Sequence, residues 1–117
     1  MGEPSRVEKR VLEPGRVRRI RDGFSWIDRR FVREEWIDRL TLEESTLYFF
    51  LVAVADKVGL SFYSDGRIAT TLKFDRDRLA RARARLVELG LVAWESPLYQ
   101  VLELPASVAE GLRRSVR

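Results

Sequence analysis

The sequence predicts an α+β fold that is mainly helical and carries a small β-hairpin. Apolar side chains recur every three or four residues in successive segments between residues 32 and 89, which is the spacing of amphipathic helices. Two short runs rich in branched and aromatic side chains follow, with only Glu95-Ser96-Pro97 between them, as in a tight hairpin. A length of 117 residues supports one domain, so we expect a three-helix core with a two- or three-stranded sheet.

Residues 1–23 are predicted to form a basic, flexible arm. They contain glycine and proline but no aromatic residue, and their apolar residues are too sparse to make a core face. The folded domain is expected to span 24–105, starting with a short strand over 24–28 and a short helix over about 32–40. Residues 106–117 are expected to form a short C-terminal tail or helix.

The strongest helix signal begins at Thr41-Leu42-Glu43-Glu44, which has the form of a capping box. The helix is predicted to run over 42–58, with Gly59 as the left-handed residue that ends it. Its centre, Leu47 to Ala55, is nine residues long and apolar on every side, a pattern typical of a helix buried all round. One side is then expected to face the following helices, and the other the N-terminal segment or a second subunit. This predicts a homodimer through helix 42–58 or the N-terminal segment.

Two more helices follow a short strand candidate at 60–63. Ser64 is placed to cap a helix that runs to about Leu72, and Asp75 is placed to cap a longer helix over 76–89. The inward positions of that longer helix are expected to be Leu79, Ala82, Leu86 and Leu89.

The order from Thr41 onward is helix, short strand, short helix, turn, longer helix and hairpin, with hairpin strands over 91–94 and 98–104. This order, together with the ending Leu86-x-x-Leu89-Gly90-Leu91-Val92, resembles a winged helix-turn-helix DNA-binding domain over about 41–104. Such domains occur in bacterial regulators and in plasmid or phage replication proteins. The resemblance implies that helix 76–89 enters the major groove of duplex DNA.

The absence of histidine and cysteine favours a binding protein over an enzyme. It removes the usual general base, thiolate nucleophiles, Cys-ligated zinc and His-ligated metals. We therefore expect no catalytic activity, no cofactor and no metal site. The longest apolar run has nine residues, whereas a membrane span needs about 20, and no secretory signal is visible. The expected location is the cytoplasm, in association with the nucleoid.

The net charge of +4 is divided unevenly along the chain. Residues 1–33 hold 10 basic and 5 acidic side chains, residues 34–60 hold 2 and 6, and residues 61–90 hold 7 and 4. Two basic blocks separated by an acidic block indicate a polyanionic partner, for which double-stranded DNA is the first candidate. The hairpin turn Glu95-Ser96-Pro97 has no basic side chain, so the arm is expected to supply the remaining backbone contacts.

The candidate DNA-binding residues lie on the two helices, in the turn between them and in the arm. Arginine contacts guanine edges and phosphates well, and Ala80 and Ala84 leave room for the helix backbone to approach the groove. We expect Arg83 to lie beside Arg76 on one flank of this surface. The candidates for base edges are Arg76, Arg78 and Arg81, and those for phosphates are Arg85 and Arg67, with Thr70, Thr71 and Lys73 as supporting donors and Arg16, Arg18, Arg19 and Arg21 in the arm.

Alternative interpretations of the same residues remain open. Asp77–Arg81 and Arg85–Glu88 have the spacing of ordinary surface ion pairs, and 19 of the 22 basic residues are Arg, which a GC-rich genome also produces. A winged-helix module that docks another protein through helix 42–58 and the acidic block 34–44 is the competing function. The aromatic residues Phe24, Trp26, Phe31 and Trp36 are expected in the core rather than on nucleobases. A nuclease site built from Asp28, Glu34, Glu35 and Asp38 is disfavoured because Glu34 and Glu35 point apart on a helix.

Overall fold

The computed structural model describes residues 7–106, which form helices packed on a three-stranded antiparallel sheet. This confirms the α+β prediction. Two short 3₁₀ turns lie at Pro14–Arg16 and Ile37–Arg39. The regular elements are α1 (Arg30–Arg33), α2 (Leu42–Val54), β1 (Leu60–Phe62), α3 (Asp65–Leu72), α4 (Arg76–Glu88), β2 (Val92–Glu95) and β3 (Leu98–Val101).

The sheet has β3 at its centre, with β1 and β2 on either side. Tyr99 of β3 lies opposite Ser61 of β1 and Trp94 of β2, so one residue joins all three strands. The predicted hairpin and the strand near residue 60 are confirmed, but the second hairpin strand ends at Val101 rather than at residue 104. Past Val101 one backbone bond continues the pairing, since Leu102 donates its N–H to the carbonyl oxygen of Leu91 at 3.0 Å, and residues 103 and 104 are not in the sheet.

The three helix starts that the sequence predicts are all capped in the structure. Thr41 and Glu44 form the reciprocal capping box, at 3.1 and 3.0 Å. Ser64 Oγ accepts the N–H of Arg67 at 3.1 Å, and Asp75 Oδ1 accepts the N–H of Arg78 at 2.8 Å. Each cap stabilises its helix by about 1 kcal/mol, and together they fix where α2, α3 and α4 begin.

The core lies between α2, α4 and the sheet, with α3 covering one end. The inward positions expected for α4 are all buried, and they meet the buried residues of α2 and β3. The largest buried members of this core are Trp36, Tyr99, Phe31, Leu47, Leu51, Ile68, Leu79 and Leu86.

Helix α2 is shorter than the predicted 42–58. It ends at Val54 because Ala55 has extended backbone angles and Asp56 offers competing acceptors, taking the N–H groups of Val58 and Leu60 at 3.0 and 2.9 Å. Gly59 has a φ of +87°, but it belongs to this loop and not to the helix end. A Cβ at Gly59 would lie 2.5 Å from the carbonyl oxygen of Val101, so glycine is needed for the close approach of β3.

The prediction that the centre of this helix, Leu47 to Ala55, is buried all round is wrong at two positions. Phe49 retains 38% of its accessible surface, and Ala53 is exposed as well. The Phe49 ring is only partly covered, by Phe31 and Tyr48 at centroid distances of 5.8 and 6.3 Å.

The N-terminal part of the domain differs from the sequence prediction. Residues 24–28 form no strand, and the helix expected over 32–40 is divided into α1 and the second 3₁₀ turn, because Glu35 between them has a φ of +64°. This break changes which side chain faces inward. Phe31 is buried and stacks on Tyr48 with ring centroids 4.8 Å apart, whereas Val32 is exposed.

Residues 7–23 are exposed throughout and contain a single 3₁₀ turn. The tail or helix expected over 106–117 falls, apart from Ala106, outside the described residues. Within residues 7–106 no helix combines the length and the apolar character needed to cross a bilayer.

The buried phenol of Tyr48 predicts a loss of stability at alkaline pH. Burial, with a smaller contribution from the charge of Asp28, raises the pKa of Tyr48 to about 12, whereas an unfolded tyrosine titrates near pH 10. Since the folded pKa is the higher one, the stabilisation is complete below about pH 10 and is lost as the pH rises toward 12. Between pH 9 and pH 11, the free energy of unfolding of Tyr48→Phe should fall by about 1 kcal/mol less than that of the unmodified chain. Chemical denaturation at the two pH values measures this difference. Equal losses in both proteins would contradict this assignment.

Candidate nucleic-acid interface

The outer surface of α4 is centred on Arg81. The leucines of this helix point into the core, and Ala80, Arg81 and Ala84 are exposed on the opposite side. Arg81 has no hydrogen-bond or ion-pair partner among residues 7–106. The Asp77–Arg81 pair considered from the spacing is therefore not formed in the described part of the chain. An extended cation between two small side chains is well suited to enter a groove.

Arg78 is drawn toward α2 instead of outward. Its Nε lies 3.7 Å from Glu43 Oε2 and 3.7 Å from Asp75 Oδ2, and about half of its side chain remains exposed. Both carboxylates belong to helix starts, one of α2 and one of α4. Arg78 is thus partly neutralised, and contact with a phosphate would require it to exchange carboxylates for the phosphate.

Arg76 crosses over the first turn of α3. A Cβ at Gly66 would lie 3.0 Å from Arg76 Nη2, so the absent side chain of Gly66 leaves the space that the guanidinium fills. Arg76 forms no ion pair with any residue in the range 7–106. Its charge is therefore not neutralised within the described residues, and its guanidinium lies between α3 and α4.

The remaining predicted residues of the helix pair are placed as follows. Arg85 pairs with Glu88 at 3.0 Å and is half-buried, which confirms the surface pair predicted from the spacing. Lys73 has a left-handed φ of +63° and ends α3, so its side chain lies at the turn. Exposed positions along α3 and the turn are occupied by Arg67, Thr70, Thr71 and Lys73.

Arg83 is not on the outer surface, which corrects the expectation that it lies beside Arg76 there. Its side chain is only 8% exposed, and its Nη1 donates to Asp65 Oδ1 at 2.8 Å and to the Tyr99 hydroxyl at 2.9 Å. Its guanidinium carbon lies 3.7 Å from the centroid of the Trp94 ring. The signal was present in the sequence, since residue 83 lies four after Leu79 and three before Leu86, on the flank of the core face.

This cluster of Arg83, Asp65, Tyr99 and Trp94 connects α4, α3, β3 and β2. Burial acts to lower the pKa of Arg83, but the hydrogen bonds to Asp65 and Tyr99 outweigh it and the pKa is raised. Burial raises the pKa of Tyr99, and the bond from Arg83 only partly offsets that effect. The arginine is therefore charged and the tyrosine protonated at neutral pH, so this hydrogen-bonded cluster holds the helix pair against the sheet.

The hairpin tip has an apolar surface. Phe62 of β1 lies opposite Leu98 of β3, and both side chains are exposed. The turn residues Ser96 and Pro97 are exposed as well. As the sequence suggested, this tip offers no cation to a phosphate.

The arginines of the arm line one concave surface. Residues between Pro14 and Arg21 line an open, shallow groove of about 840 Å³, and Arg16, Arg18, Arg19 and Arg21 are among them. Arg16 pairs with Glu13 at 3.3 Å, and both groups are largely exposed. Ion pairs this exposed contribute little stability, so the pair is easily exchanged for a phosphate contact.

The aromatic residues of the N-terminal segment divide into two kinds. Phe31 and Trp36 are buried, as expected. Phe24 and Trp26 are 70% and 83% exposed, so the expectation that they belong to the core is wrong. The physical reason is that Phe31 already occupies the face of Tyr48, and the place left for the earlier rings, at the C-terminal end of α2, is an open groove that does not cover them.

The carboxylates considered for a nuclease are dispersed. Asp28 accepts three hydrogen bonds from the Arg30 side chain, at 2.7, 3.0 and 3.2 Å, and these bonds hold its pKa below the usual value. Within residues 7–106 no group of three or more acidic side chains is arranged to hold a metal ion.

Comparisons with known protein families, with curated proteins and with solved structures found no match.

The Arg83 cluster predicts a large effect at one of two matched aspartates. Asp65 and Asp77 both lie in the first turn of a helix, so replacing either by Asn removes the same favourable interaction with the helix dipole. Asp65→Asn also leaves the buried guanidinium with a neutral acceptor, and it should lower the free energy of unfolding by about 1–3 kcal/mol. Asp77→Asn should change it by no more than about 0.5 kcal/mol. Urea denaturation of both variants measures the difference, and equal values would show that the cluster contributes nothing to the fold.

Proposed function

We propose that this chain is a non-enzymatic protein that binds duplex DNA with a winged helix-turn-helix domain. It would act as a transcriptional regulator or as an accessory factor for replication or a mobile element. The observation that carries the proposal is the outer face of α4, where the free guanidinium of Arg81 lies between Ala80 and Ala84. A helix with one long cation between two small residues fits the width of a major groove.

The order of elements supports the winged-helix assignment. The chain runs α2, β1, α3, α4, β2 and β3, which is the order on which the resemblance rests. The turn between α3 and α4 contains only residues 73–75, and the hairpin follows α4 directly. In this arrangement α4 is the recognition helix and the hairpin is the wing.

The arginines then have different roles. Arg81 contacts base edges, and Arg76 reaches the same groove from the α3 side. Arg78 and Arg85, each beside a carboxylate, serve phosphates at the groove edge together with Arg67. The hydroxyls of Thr70 and Thr71, and the Lys73 ammonium, donate to phosphates at the turn.

The arm supplies affinity that does not depend on sequence. Its guanidinium groups line a single concave surface, and each phosphate that they neutralise releases counterions. The wing contributes no cation, so the arm takes over the backbone contacts that a basic wing would make.

A second copy of the chain completes the proposed complex. Exposed Phe49 on α2 and the apolar residues around it favour a homodimer, whose two α4 helices would meet half-sites about one helical turn apart. The competing function, a module that docks a different protein through α2 and the acidic block 34–44, uses the same surface.

Arg81→Ala tests the role of α4. We expect the variant to bind more weakly to a duplex selected from a random library. If Arg81 contacts a phosphate, the slope of log affinity against log salt concentration should be reduced by about one. If it contacts a base, that slope should be unchanged. Loss of a base contact would weaken the free energy of binding by about 1–3 kcal/mol and relax sequence specificity at one position of the DNA site.

The control is Arg33→Ala, which removes an exposed arginine from α1. It should leave duplex affinity within about twofold, since α1 lies outside the helix pair. Unchanged binding by Arg81→Ala would contradict the assignment of α4. Absence of any duplex binding at low salt, together with a stable complex with another protein, would favour the docking module.

A further inference from the structure

Phe24 and Trp26 present two large rings to solvent at fixed positions. Their centroids are 6.0 Å apart in an edge-to-face arrangement. Between them, Ser25 Oγ donates to the carbonyl oxygen of Ala53 at 3.4 Å, which fastens the segment to the C-terminal end of α2. Phe24 and Trp26 are 70% and 83% exposed, and neighbouring exposed aromatic rings favour a binding surface.

The two rings border a groove of about 700 Å³ beside the sheet. Its floor is apolar and consists of Val52 and Ala55 of the α2 end and Val101 of β3. Gln100 and Lys57 add an amide and an ammonium group at the rim. A volume in this range is typical of sites for flat organic ligands.

The charge around the rings is predominantly positive. Residues 16–30 hold six Arg and two Asp, and Arg30 already neutralises Asp28. Arg18, Arg19 and Arg21 form no ion pair within the described residues, and they line the concave surface of the arm just before Phe24. These arginines precede the rings by three to eight residues in the same segment, so one short stretch of chain carries groups that suit phosphates and groups that suit flat rings.

Two carboxylates, Asp56 and Glu103, also line the groove. Asp56 Oδ1 accepts the backbone N–H groups of Val58 and Leu60. The pKa of Arg30 is raised mainly by its hydrogen bond to Asp28 and further by the charge of Glu103, so Glu103 lies near a guanidinium. Asp22 is the one carboxylate between Arg21 and Phe24 in the sequence, and it is outnumbered by the three arginines that precede it.

The exposed rings and the arginines of the same segment together favour a single-stranded nucleic acid over a duplex, a second copy of the chain or an apolar peptide. In a duplex the base faces are stacked on one another and are closed to Trp26, whereas unpaired bases expose theirs. In a two-fold homodimer the same patch would meet itself and bring the two sets of arginines together. An apolar peptide would leave the arginines without partners.

We propose that Phe24 and Trp26, with Arg18, Arg19 and Arg21, form a binding site for unpaired nucleobases of a single-stranded nucleic acid. The bases stack on the two rings, and the arginines contact the phosphates on the 5′ or 3′ side. The site shares its arginines with the proposed duplex function but does not require α4. DNA and RNA strands offer the same chemistry here, and both are included in the test.

The test measures binding of labelled oligothymidylate and oligouridylate of about 12 nucleotides at low salt. Trp26→Ala should weaken binding to the preferred strand about fivefold or more, the loss expected for one stacked base. The matched control is Leu42→Ala, which truncates an equally exposed apolar side chain on α2 and should leave the affinity within about twofold. The strand that binds more tightly identifies the type of nucleic acid.

Tryptophan fluorescence distinguishes stacking from a general electrostatic effect. Trp26 is the most exposed of the three tryptophans, since Trp36 is buried and Trp94 is covered on one face by Arg83. A base stacked on Trp26 should quench its emission. Trp26→Phe should keep most of the affinity, because phenylalanine also stacks, and should lose the quenching.

Three results would overturn the proposal. The first is a Trp26→Ala affinity within about twofold of the unmodified chain for both strands. The second is equally tight binding of an abasic oligonucleotide of the same length, which offers phosphates but no bases. The third is a Trp26→Ala variant that no longer self-associates but still binds the strand as tightly as the unmodified chain. The rings would then be an interface between copies of the protein. Arg81→Ala should leave single-strand binding unchanged, so failure of the duplex proposal is distinguished from failure of this one.

Discussion

The arrangement of the helix pair on the sheet depends on the buried guanidinium of Arg83. It is the one arginine of α4 that points toward the sheet, where it meets Asp65 at the start of α3 and the Tyr99 hydroxyl at the centre of the sheet. Hydrogen bonds of this kind have directional requirements that apolar contacts lack. Leucine packing alone would permit α4 to rotate or slide against β3, and the Arg83 bonds select one position. That position determines which side chains α4 turns outward.

The five arginines of α4 consequently differ in what they can do, although the sequence presents them as one basic helix. Arg83 is held inside, and Arg78 and Arg85 lie beside carboxylates at 3.7 and 3.0 Å. Arg76 lies across Gly66, and Arg81 alone extends from the middle of the outer face. The free positive charge of α4 is therefore much smaller than its composition indicates. A ligand is met by a single central cation with small neighbours, a surface better suited to discrimination than to strong electrostatic attraction.

Much of this fold is predictable because its signals are local. The caps at Thr41, Ser64 and Asp75 need only the residues two or three positions ahead, and the leucine spacing of α4 needs only its own helix. The end of α2 was misplaced because Asp56 captures N–H groups that no apolar pattern reveals. The exposure of Trp26 was missed for a different reason. It depends on Phe31 taking the place against Tyr48, and that competition is settled only when the chain is folded.

In the proposed function, affinity and selectivity are separated along the chain. The arm holds Arg18, Arg19 and Arg21, which form no ion pair within the described residues, on an exposed segment whose only regular structure there is one 3₁₀ turn, so it can follow a phosphate backbone without imposing a geometry on it. Helix α4 is held rigidly by Arg83 and has few free charges, so its contribution depends on shape and on hydrogen bonds at one place. A polyanion would be attracted first by the arm, in a manner that weakens steeply with salt. It would then be accepted or rejected by α4, or by the rings of Phe24 and Trp26 where the bases are unpaired. The small net charge of +4 suits this division, because a protein with every arginine free would bind any nucleic acid without regard to its form.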